Sequence, residues 1–210
     1  MIKRLIGEAF LKVAGWKVEG ERPALDRYVI IAAPHTSNWD MPFMLAFAFI
    51  YDMPVKWMGK HTLFKEPYGT FFKWLGGMPI IRHRPGGVVG QMIDAFEENE
   101  SLILMVPAEG TRAHVDYWKS GFYRIACGAD VPVVLSYLDF GKKVGGIGPA
   151  LKMTGDVSAD MDRIRAFYAG MQGHKPENVG VIRLREEDVE EVVAQDADRP
   201  EDIERLAGNL

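Results

Sequence analysis

An apolar run leads directly into a histidine and an aspartate at residues 28–40, which read Tyr28-Val29-Ile30-Ile31-Ala32-Ala33-Pro34-His35-Thr36-Ser37-Asn38-Trp39-Asp40. The first six residues predict a buried strand, and the three residues after the histidine are types that favour helix N-caps. The apolar segment 41–51 then predicts a buried helix. His35 at the strand exit and Asp40 in the first helical turn can therefore face each other across a tight loop.

This histidine–aspartate pair has the composition of a general base. An aspartate that accepts a hydrogen bond from one imidazole nitrogen fixes the tautomer and leaves the other nitrogen to take a proton. The same residues are also compatible with a structural interpretation, in which Asp40 caps the helix and His35 makes an ordinary hydrogen bond. The spacing alone does not separate the two interpretations, so the rest of the chain has to do so.

The remaining sequence alternates strand and helix patterns. Further strands are predicted at residues 16–20, 55–59, 78–81, 101–106 and 131–138, and helices at 68–75, 88–98, 160–171 and from about 121. We also expect a glycine-rich turn at 141–148, a return strand at 150–154 and an edge strand at 179–184. Fully apolar strands between helices indicate an α/β sandwich, in which helices cover a mostly parallel mixed sheet. We expect one domain over residues 1–210.

The two ends of the chain have patterns of their own. Residues 1–15 predict an amphipathic helix, because apolar residues recur at helical spacing, namely Ile2, Leu5, Ile6, Ala9, Phe10 and Val13. This helix can lie on lipid headgroups or dock on the domain, and periodicity does not distinguish the two. Residues 186–210 predict an acidic helical tail in a chain whose formal net charge is −4. No apolar run is long enough to span a bilayer.

Three loops with charged residues each follow a predicted strand, at 35–40, 82–84 and 109–112. In a parallel sheet such loops converge beyond the carboxyl ends of the strands, where ligands bind. Arg82 and Arg112 would then form a fork for a phosphate or a carboxylate.

Residues close to Arg112 add groups that suit an anion. Gly110 allows the backbone to approach a ligand closely, and the Thr111 hydroxyl is a further donor. Lys119 directly precedes a predicted helix, where the lysine and the helix N-terminus both favour negative charge. Glu109 can form a salt bridge with Arg112 or accept a hydrogen bond from a substrate hydroxyl. Each cation alone is equally compatible with a surface ion pair.

Several other kinds of site are absent from the sequence. There is no Gly-x-Ser-x-Gly elbow, no histidine pair with zinc spacing and no phosphate-binding Gly-x-x-x-x-Gly-Lys-Ser/Thr loop. The single Cys127 excludes an internal disulfide, and the net charge does not favour nucleic acid. We therefore expect no metal site and no cofactor. The remaining groups suit direct attack by an activated hydroxyl on a thioester.

Four blocks in this order resemble the glycerophospholipid acyltransferase family, which includes the lysophosphatidic acid acyltransferases. They are His35-Thr36-Ser37-Asn38-Trp39-Asp40, Gly76-Gly77-Met78-Pro79-Ile80-Ile81-Arg82, Glu109-Gly110-Thr111-Arg112 and Val131-Pro132-Val133-Val134. The segment Trp118-Lys119-Ser120-Gly121 is similar to the lysine–glycine step that precedes the last block. The resemblance covers about residues 25–155.

This resemblance implies specific roles. His35 would be the general base on the acceptor hydroxyl, and Asp40 its partner. The glycerol phosphate would be held by the residues Arg82, Glu109, Gly110, Thr111 and Arg112, with Lys119 beside them. The acyl donor would be acyl-CoA or an acyl carrier protein. An interfacial N-terminal segment is also typical of the family and favours contact of residues 1–15 with membrane lipid.

The expected function is transfer of a fatty acyl group from a thioester to the hydroxyl of a lysophospholipid resembling 1-acylglycerol-3-phosphate. We expect a peripheral protein on the cytoplasmic face of the membrane, or a cytoplasmic one. Departures from the family pattern around the acceptor pocket, such as Ala108 in place of proline and Ala113 in place of serine, leave other acceptors open, for example a lyso-aminolipid. A peripheral lipid-binding protein without catalysis is a further alternative.

Overall fold

A computed structural model of the chain describes residues 2–80 and 86–188. Its centre is a seven-stranded sheet with the spatial order β1-β7-β6-β2-β5-β3-β4. The strands are β1 (Lys17–Glu19), β2 (Arg27–Ala33), β3 (Val55–Lys60), β4 (Gly77–Ile80), β5 (Leu102–Val106), β6 (Val133–Asp139) and β7 (Val144–Leu151). Strands β2 to β6 run parallel, whereas β7 is antiparallel to β6 and β1 is parallel to β7. The predicted mostly parallel mixed sheet is confirmed.

Helices lie on both faces of this sheet. They are α1 (Ile2–Ala14), α2 (Asp40–Ile50), α3 (Gly69–Trp74), α4 (Gly87–Glu98), α5 (Gly121–Gly128) and α6 (Val157–Tyr168), with 3-10 helices at His61–Phe64 and Pro176–Asn178. Within the described ranges, every helix is too short or too polar to cross a bilayer.

The central strand β2 is apolar along its length because neighbouring helices cover both of its faces. Val29 and Ile31 belong to a core cluster with residues of α4, α5 and α6, such as Phe96. Tyr28 and Ile30, which point to the opposite face, pack with Met53 and the side chain of Met44 from α2. Alternate residues of a strand point to opposite faces, so two buried faces require a continuous apolar run.

The N-terminal helix α1 docks on α2 through a face that includes Phe10 but otherwise differs from the one that the periodicity selected. Gly7 and Leu11 are buried there, and a Cβ atom at Gly7 would lie 2.6 Å from the Ala46 carbonyl oxygen. Most of the predicted apolar face is open to solvent, with exposed fractions of 75% at Ile2, 59% at Leu5, 56% at Ile6 and 91% at Val13. The helix is therefore docked on the domain and still presents an apolar stripe outward.

Two predicted elements are wrong in detail. The glycine-rich segment is mostly strand β7, and the turn before it covers only residues 140–143. The glycines of β7 allow close packing, because a Cβ atom at Gly145 would lie 2.7 Å from the Phe47 ring. Residues 179–184 form no edge strand but only an isolated bridge from Leu184 to Trp118. Their backbone pairs with a loop, since the Val181 N–H donates to the Val115 carbonyl.

The predicted acidic tail lies largely beyond the described part of the chain, from residue 189 onward.

Candidate active site

The sheet brings two of the three charged loops together at the carboxyl ends of adjacent strands. Strands β2 and β5 are parallel neighbours, with Ile31 opposite Val106. The loops that follow them are joined by a hydrogen bond of 2.8 Å, in which the His35 backbone N–H donates to Glu109 Oε1. The third loop, with Arg82, lies outside the described residues.

The His35 ring and the Asp40 carboxylate face each other, as the sequence predicts. Nδ1 of His35 lies 3.0 Å from Oδ2 of Asp40, and the two side chains are 15% and 1% exposed. The same Oδ2 accepts hydrogen bonds from the N–H groups of Thr36 at 2.8 Å and Ser37 at 2.9 Å. Asp40 therefore holds the loop that carries His35 as well as facing its ring.

These contacts argue against the simpler interpretation of Asp40 as a helix cap. Asp40 is the first residue of α2, and its bonded N–H groups belong to the loop before the helix. With Nδ1 turned towards Asp40, the other ring nitrogen, Nε2, is left to exchange a proton with a substrate.

Glu109 is buried beneath this loop and points inward. It is 4% exposed, and burial raises the pKa of its carboxyl group, although the His35 N–H opposes that shift. Within the described ranges its second oxygen has no hydrogen-bond partner, and neither does Oδ1 of Asp40. Unpaired buried carboxylate oxygens are unusual and mark a place for a ligand hydroxyl, a water or a cation.

The possible salt bridge between Glu109 and Arg112 does not form. Gly110 adopts a φ of +68°, and the chain turns there, so that Glu109 faces inward while Thr111 and Arg112 are exposed. Among the described carboxylates none pairs with Arg112. The guanidinium is thus open to an anion in solution.

Lys119 lies against the same turn. Its backbone N–H donates to the Ala108 carbonyl at 2.8 Å. A Cβ atom at Gly110 would lie 2.8 Å from Lys119 Cγ, so the lysine stem occupies the space that a larger residue at 110 would need. The structure therefore brings together Glu109, Gly110 and Lys119, with Thr111 and Arg112 on the outer side of the loop.

Replacing Glu109 by glutamine tests the burial of this carboxyl group. Because its pKa is raised in the folded protein, the folded state binds more protons than the unfolded state just above the ordinary pKa of 4.5, and stability falls as pH rises through that window. The amide oxygen of Glu109→Gln can still accept the His35 N–H. We therefore expect urea denaturation to show the variant gaining stability relative to the wild type as pH rises. A difference in stability between variant and wild type that does not change with pH would contradict the raised pKa of Glu109.

A cavity of about 520 Å³ begins at His35. His35, Met41 and Pro107 line the end near the start of α2, and Asp52 with Arg22 marks the end beyond its last turn. Between them the wall is mostly apolar and comes from α2, β3, β5 and the loop between α2 and β3, with Met44, Leu45, Ala48, Phe49, Met53, Val55, Trp57, Met58 and Met105.

Sequence reasoning did not identify these cavity residues. The available signal was helix α2 itself, which is apolar on nearly all sides after Asp40. One side packs on α1, since Phe10 and Phe43 have ring centroids 5.1 Å apart, and another side faces the cavity. A helix that is apolar on all sides is expected to be covered on all sides. The sequence does not show that one side is covered by a cavity and not by packed side chains.

Comparison with known proteins agrees with this geometry. A family model described as Acyltransferase matches residues 15–136, which include His35, Asp40 and the loop at Glu109. The solved structure of a 1-acyl-sn-glycerophosphate (LPA) acyltransferase, PlsC, from Thermotoga maritima has the same fold, with a TM-score of 0.54 and 15% identity over 81% of this chain and 80% of that one. No curated protein matches the chain. Because the family model covers more than half of the sequence, the prediction of family is confirmed, and this chain belongs to the acyltransferase family of enzymes.

Proposed function

We propose that this acyltransferase moves a fatty acyl group from a thioester donor to the hydroxyl of a lysophospholipid that carries a phosphate. The observation that carries the proposal is the position of the His35–Asp40 pair at one end of an apolar cavity of about 520 Å³. The donor is acyl-CoA or an acyl carrier protein, and no other cofactor is required.

The cavity suits a hydrocarbon chain better than a polar ligand. Its volume falls within the range of pockets that enclose small organic molecules, about 300–1,000 Å³. Each methylene removed from water there contributes about 0.8 kcal/mol, so an acyl chain gains binding energy along its whole length. The chain would run below α2, and its carbonyl would lie near His35.

The reaction then needs only one proton to move through the enzyme. Nε2 of His35 removes the proton from the acceptor hydroxyl, and that oxygen attacks the thioester carbonyl carbon. A carbon–oxygen ester bond forms, the carbon–sulfur bond breaks, and the leaving thiolate takes the proton from His35. The Asp40 carboxylate, 3.0 Å from Nδ1, stabilises the imidazolium between these steps.

We assign the acceptor phosphate to the exposed cations beside Glu109. Arg112 and Lys119 provide charge, and Thr111 and the backbone at Gly110 provide neutral donors. Arg82 completes the set by its resemblance to the family motif, although it lies outside the described residues. Glu109 is buried below them, and its unpaired oxygen is available to an acceptor hydroxyl.

Another lyso-lipid, such as a lyso-aminolipid, is the alternative acceptor. It is favoured by Ala108 and Ala113, which stand in the loop where the family pattern has proline and serine. The structural neighbour is described as acting on 1-acyl-sn-glycerophosphate, which supports the phosphate-bearing acceptor. Membership of an enzyme family disfavours a lipid-binding protein without catalysis.

We place the reaction at the cytoplasmic surface of the membrane, with the protein bound peripherally. Support comes from α1, whose outward stripe includes Ile2, Leu5 and Val13. Apolar side chains on one face of a helix bind the boundary between lipid headgroups and acyl chains.

A thiol-release assay over a panel of acceptors tests this function. The panel contains lysophosphatidic acid, glycerol phosphate, a lyso-aminolipid and no acceptor. We expect release only with lysophosphatidic acid, and we expect Arg112→Ala to raise the KM for it about 30-fold, since a charge-assisted hydrogen bond contributes about 2 kcal/mol.

The matched control is Lys17→Ala, which removes an exposed cation from β1 at the far edge of the sheet. Full activity of Arg112→Ala, or thiol release that requires a lyso-aminolipid, would reject the phosphate-bearing acceptor. Acyl transfer to a hydroxyl would remain the proposed reaction. Release without any acceptor would identify a thioesterase instead.

A further inference from the structure

The short helix α3 and the residues before it expose large aromatic side chains. Tyr68 is 68% exposed, Phe71 54% and Trp74 59%. The rings of Phe71 and Trp74 stack with centroids 6.2 Å apart, so they form one continuous surface. Contiguous exposed apolar groups on a protein surface mark a site of interaction.

This aromatic surface adjoins α1 and the cavity. Nζ of Lys3 lies 4.7 Å from the centroid of the Trp74 ring and 5.6 Å from that of Phe49. Lys3 and Trp74 both line the cavity, close to the residues that follow α2. Helices α1 and α3 therefore flank the outer end of the cavity, opposite the end at His35.

Both flanking segments are positively charged in an acidic chain. Between the start of β3 and the end of α3 there are four lysines, at positions 56, 60, 65 and 73, against Glu66 as the single acid. Helix α1 has Lys3, Arg4 and Lys12 against Glu8, whereas the whole chain carries a formal net charge of −4. Aromatic rings interspersed with lysines match the surface of an anionic bilayer, where rings insert and lysines reach the headgroups.

We propose that the aromatic face of α3, formed by Tyr68, Phe71 and Trp74, is a membrane-binding element in addition to α1 and docks on an anionic lipid bilayer. With both helices on the lipid, the outer end of the cavity opens onto the membrane, and a lipid acyl chain enters it between α1 and α3. The entry of substrate rests on the proposed function, whereas the docking itself does not.

A bilayer fits this surface better than an acidic carrier protein does. The lysines alone would suit either partner. The exposed rings, however, continue into the cavity lining at Trp74 and adjoin a helix whose own outward residues are apolar, including Ile2 and Ile6. Two separate apolar elements around one opening suit an extended lipid surface.

Co-sedimentation with vesicles tests the docking. The test variant combines Tyr68→Ser with Phe71→Ser, and the control is Val181→Ser, which removes another half-exposed apolar residue. We expect binding to vesicles of phosphatidylglycerol and phosphatidylcholine to weaken about tenfold or more in the test variant only, and wild-type binding to weaken on phosphatidylcholine alone. Unchanged binding of the double variant would overturn the proposal, because α1 would then suffice. Wild-type binding to an acidic carrier protein but not to vesicles would also overturn it.

Tryptophan fluorescence with brominated lipids locates the contact. Trp39 and Trp74 are the two strongly exposed tryptophans among the described residues. We expect quenching to persist in Trp39→Phe and to disappear in Trp74→Phe. The reverse pattern would place a different surface on the membrane and overturn the proposal.

Activity separates this proposal from the proposed function. With a short-chain acceptor in solution, the Tyr68→Ser/Phe71→Ser variant, which leaves the residues that line the cavity unchanged, should release thiol at the wild-type rate. With acceptor in vesicles it should be about tenfold slower. If vesicle binding depends on α3 but the protein shows no acyl transfer, the proposed membrane docking stands and the proposed function is rejected. A variant that is equally active on both acceptors would reject the entry path.

Discussion

Replacing His35 by alanine is expected to lower kcat for acyl transfer about a thousandfold, the usual contribution of a positioned general base. The loss arises because the hydroxyl proton is taken by Nε2 of His35, the one histidine among the described residues that line the cavity. His35 is mostly buried and lines the cavity, so the truncation also enlarges the cavity at this end. The KM for the acceptor should change little, since the proposed phosphate ligands are untouched.

The matched control is His61→Ala, which removes an exposed histidine from the 3-10 helix after β3. Steady-state kinetics with a saturating donor and a circular-dichroism melting curve distinguish a lost base from a lost fold. A His35→Ala enzyme with a normal melting temperature and wild-type kcat would refute the general-base role.

Replacing Asp40 has two separable effects, because one carboxylate oxygen serves both the catalytic ring and the loop backbone. In Asp40→Asn the amide oxygen can still accept the Thr36 and Ser37 N–H groups, so the protein should remain folded. The negative charge that stabilises the His35 imidazolium is lost. We expect kcat to fall about a hundredfold or more, but no further than in His35→Ala, because Asp40 acts through the His35 ring.

Asp40→Ala should in addition destabilise the protein by about 3 kcal/mol, since two buried N–H donors lose their acceptor. Urea denaturation of Asp40→Ala measures this loss of stability. The kcat of Asp40→Asn measures what the negative charge contributes to the reaction. If both variants were equally stable, the hydrogen bonds to the loop would have no net effect. If Asp40→Asn kept full activity, His35 would act without a charged partner.

Two carboxylates thus fix the position of His35 from different sides. Asp40 faces the ring, and Glu109 accepts the backbone N–H of the same residue. The two come from different strand-exit loops, after β2 and after β5. The relative position of the adjacent strands therefore sets the position of the histidine, which explains why a rigid central pair of strands carries the site.

The sequence by itself predicted the sheet and the meeting of two loops. Continuous apolar strands such as Tyr28–Ala33 require cover on both faces, and this requirement indicates a parallel sheet with helices. Parallel strands end at one edge, so His35 and Glu109 had to lie near each other once β2 and β5 were neighbours. The Asp40 pairing followed from local geometry, because a helix begins immediately after a short loop.

The tertiary structure alone decided which surfaces are buried and which space is empty. Helical periodicity selected the stripe with Ile2, Leu5 and Val13, yet α1 packs through Gly7, because only a residue without a Cβ permits its close approach to Ala46. The inward turn of Glu109 and the cavity below α2 likewise depend on packing between distant segments. A sequence pattern shows which residues are apolar. Which of them pack against each other depends on how closely the surfaces of distant segments fit in the folded chain.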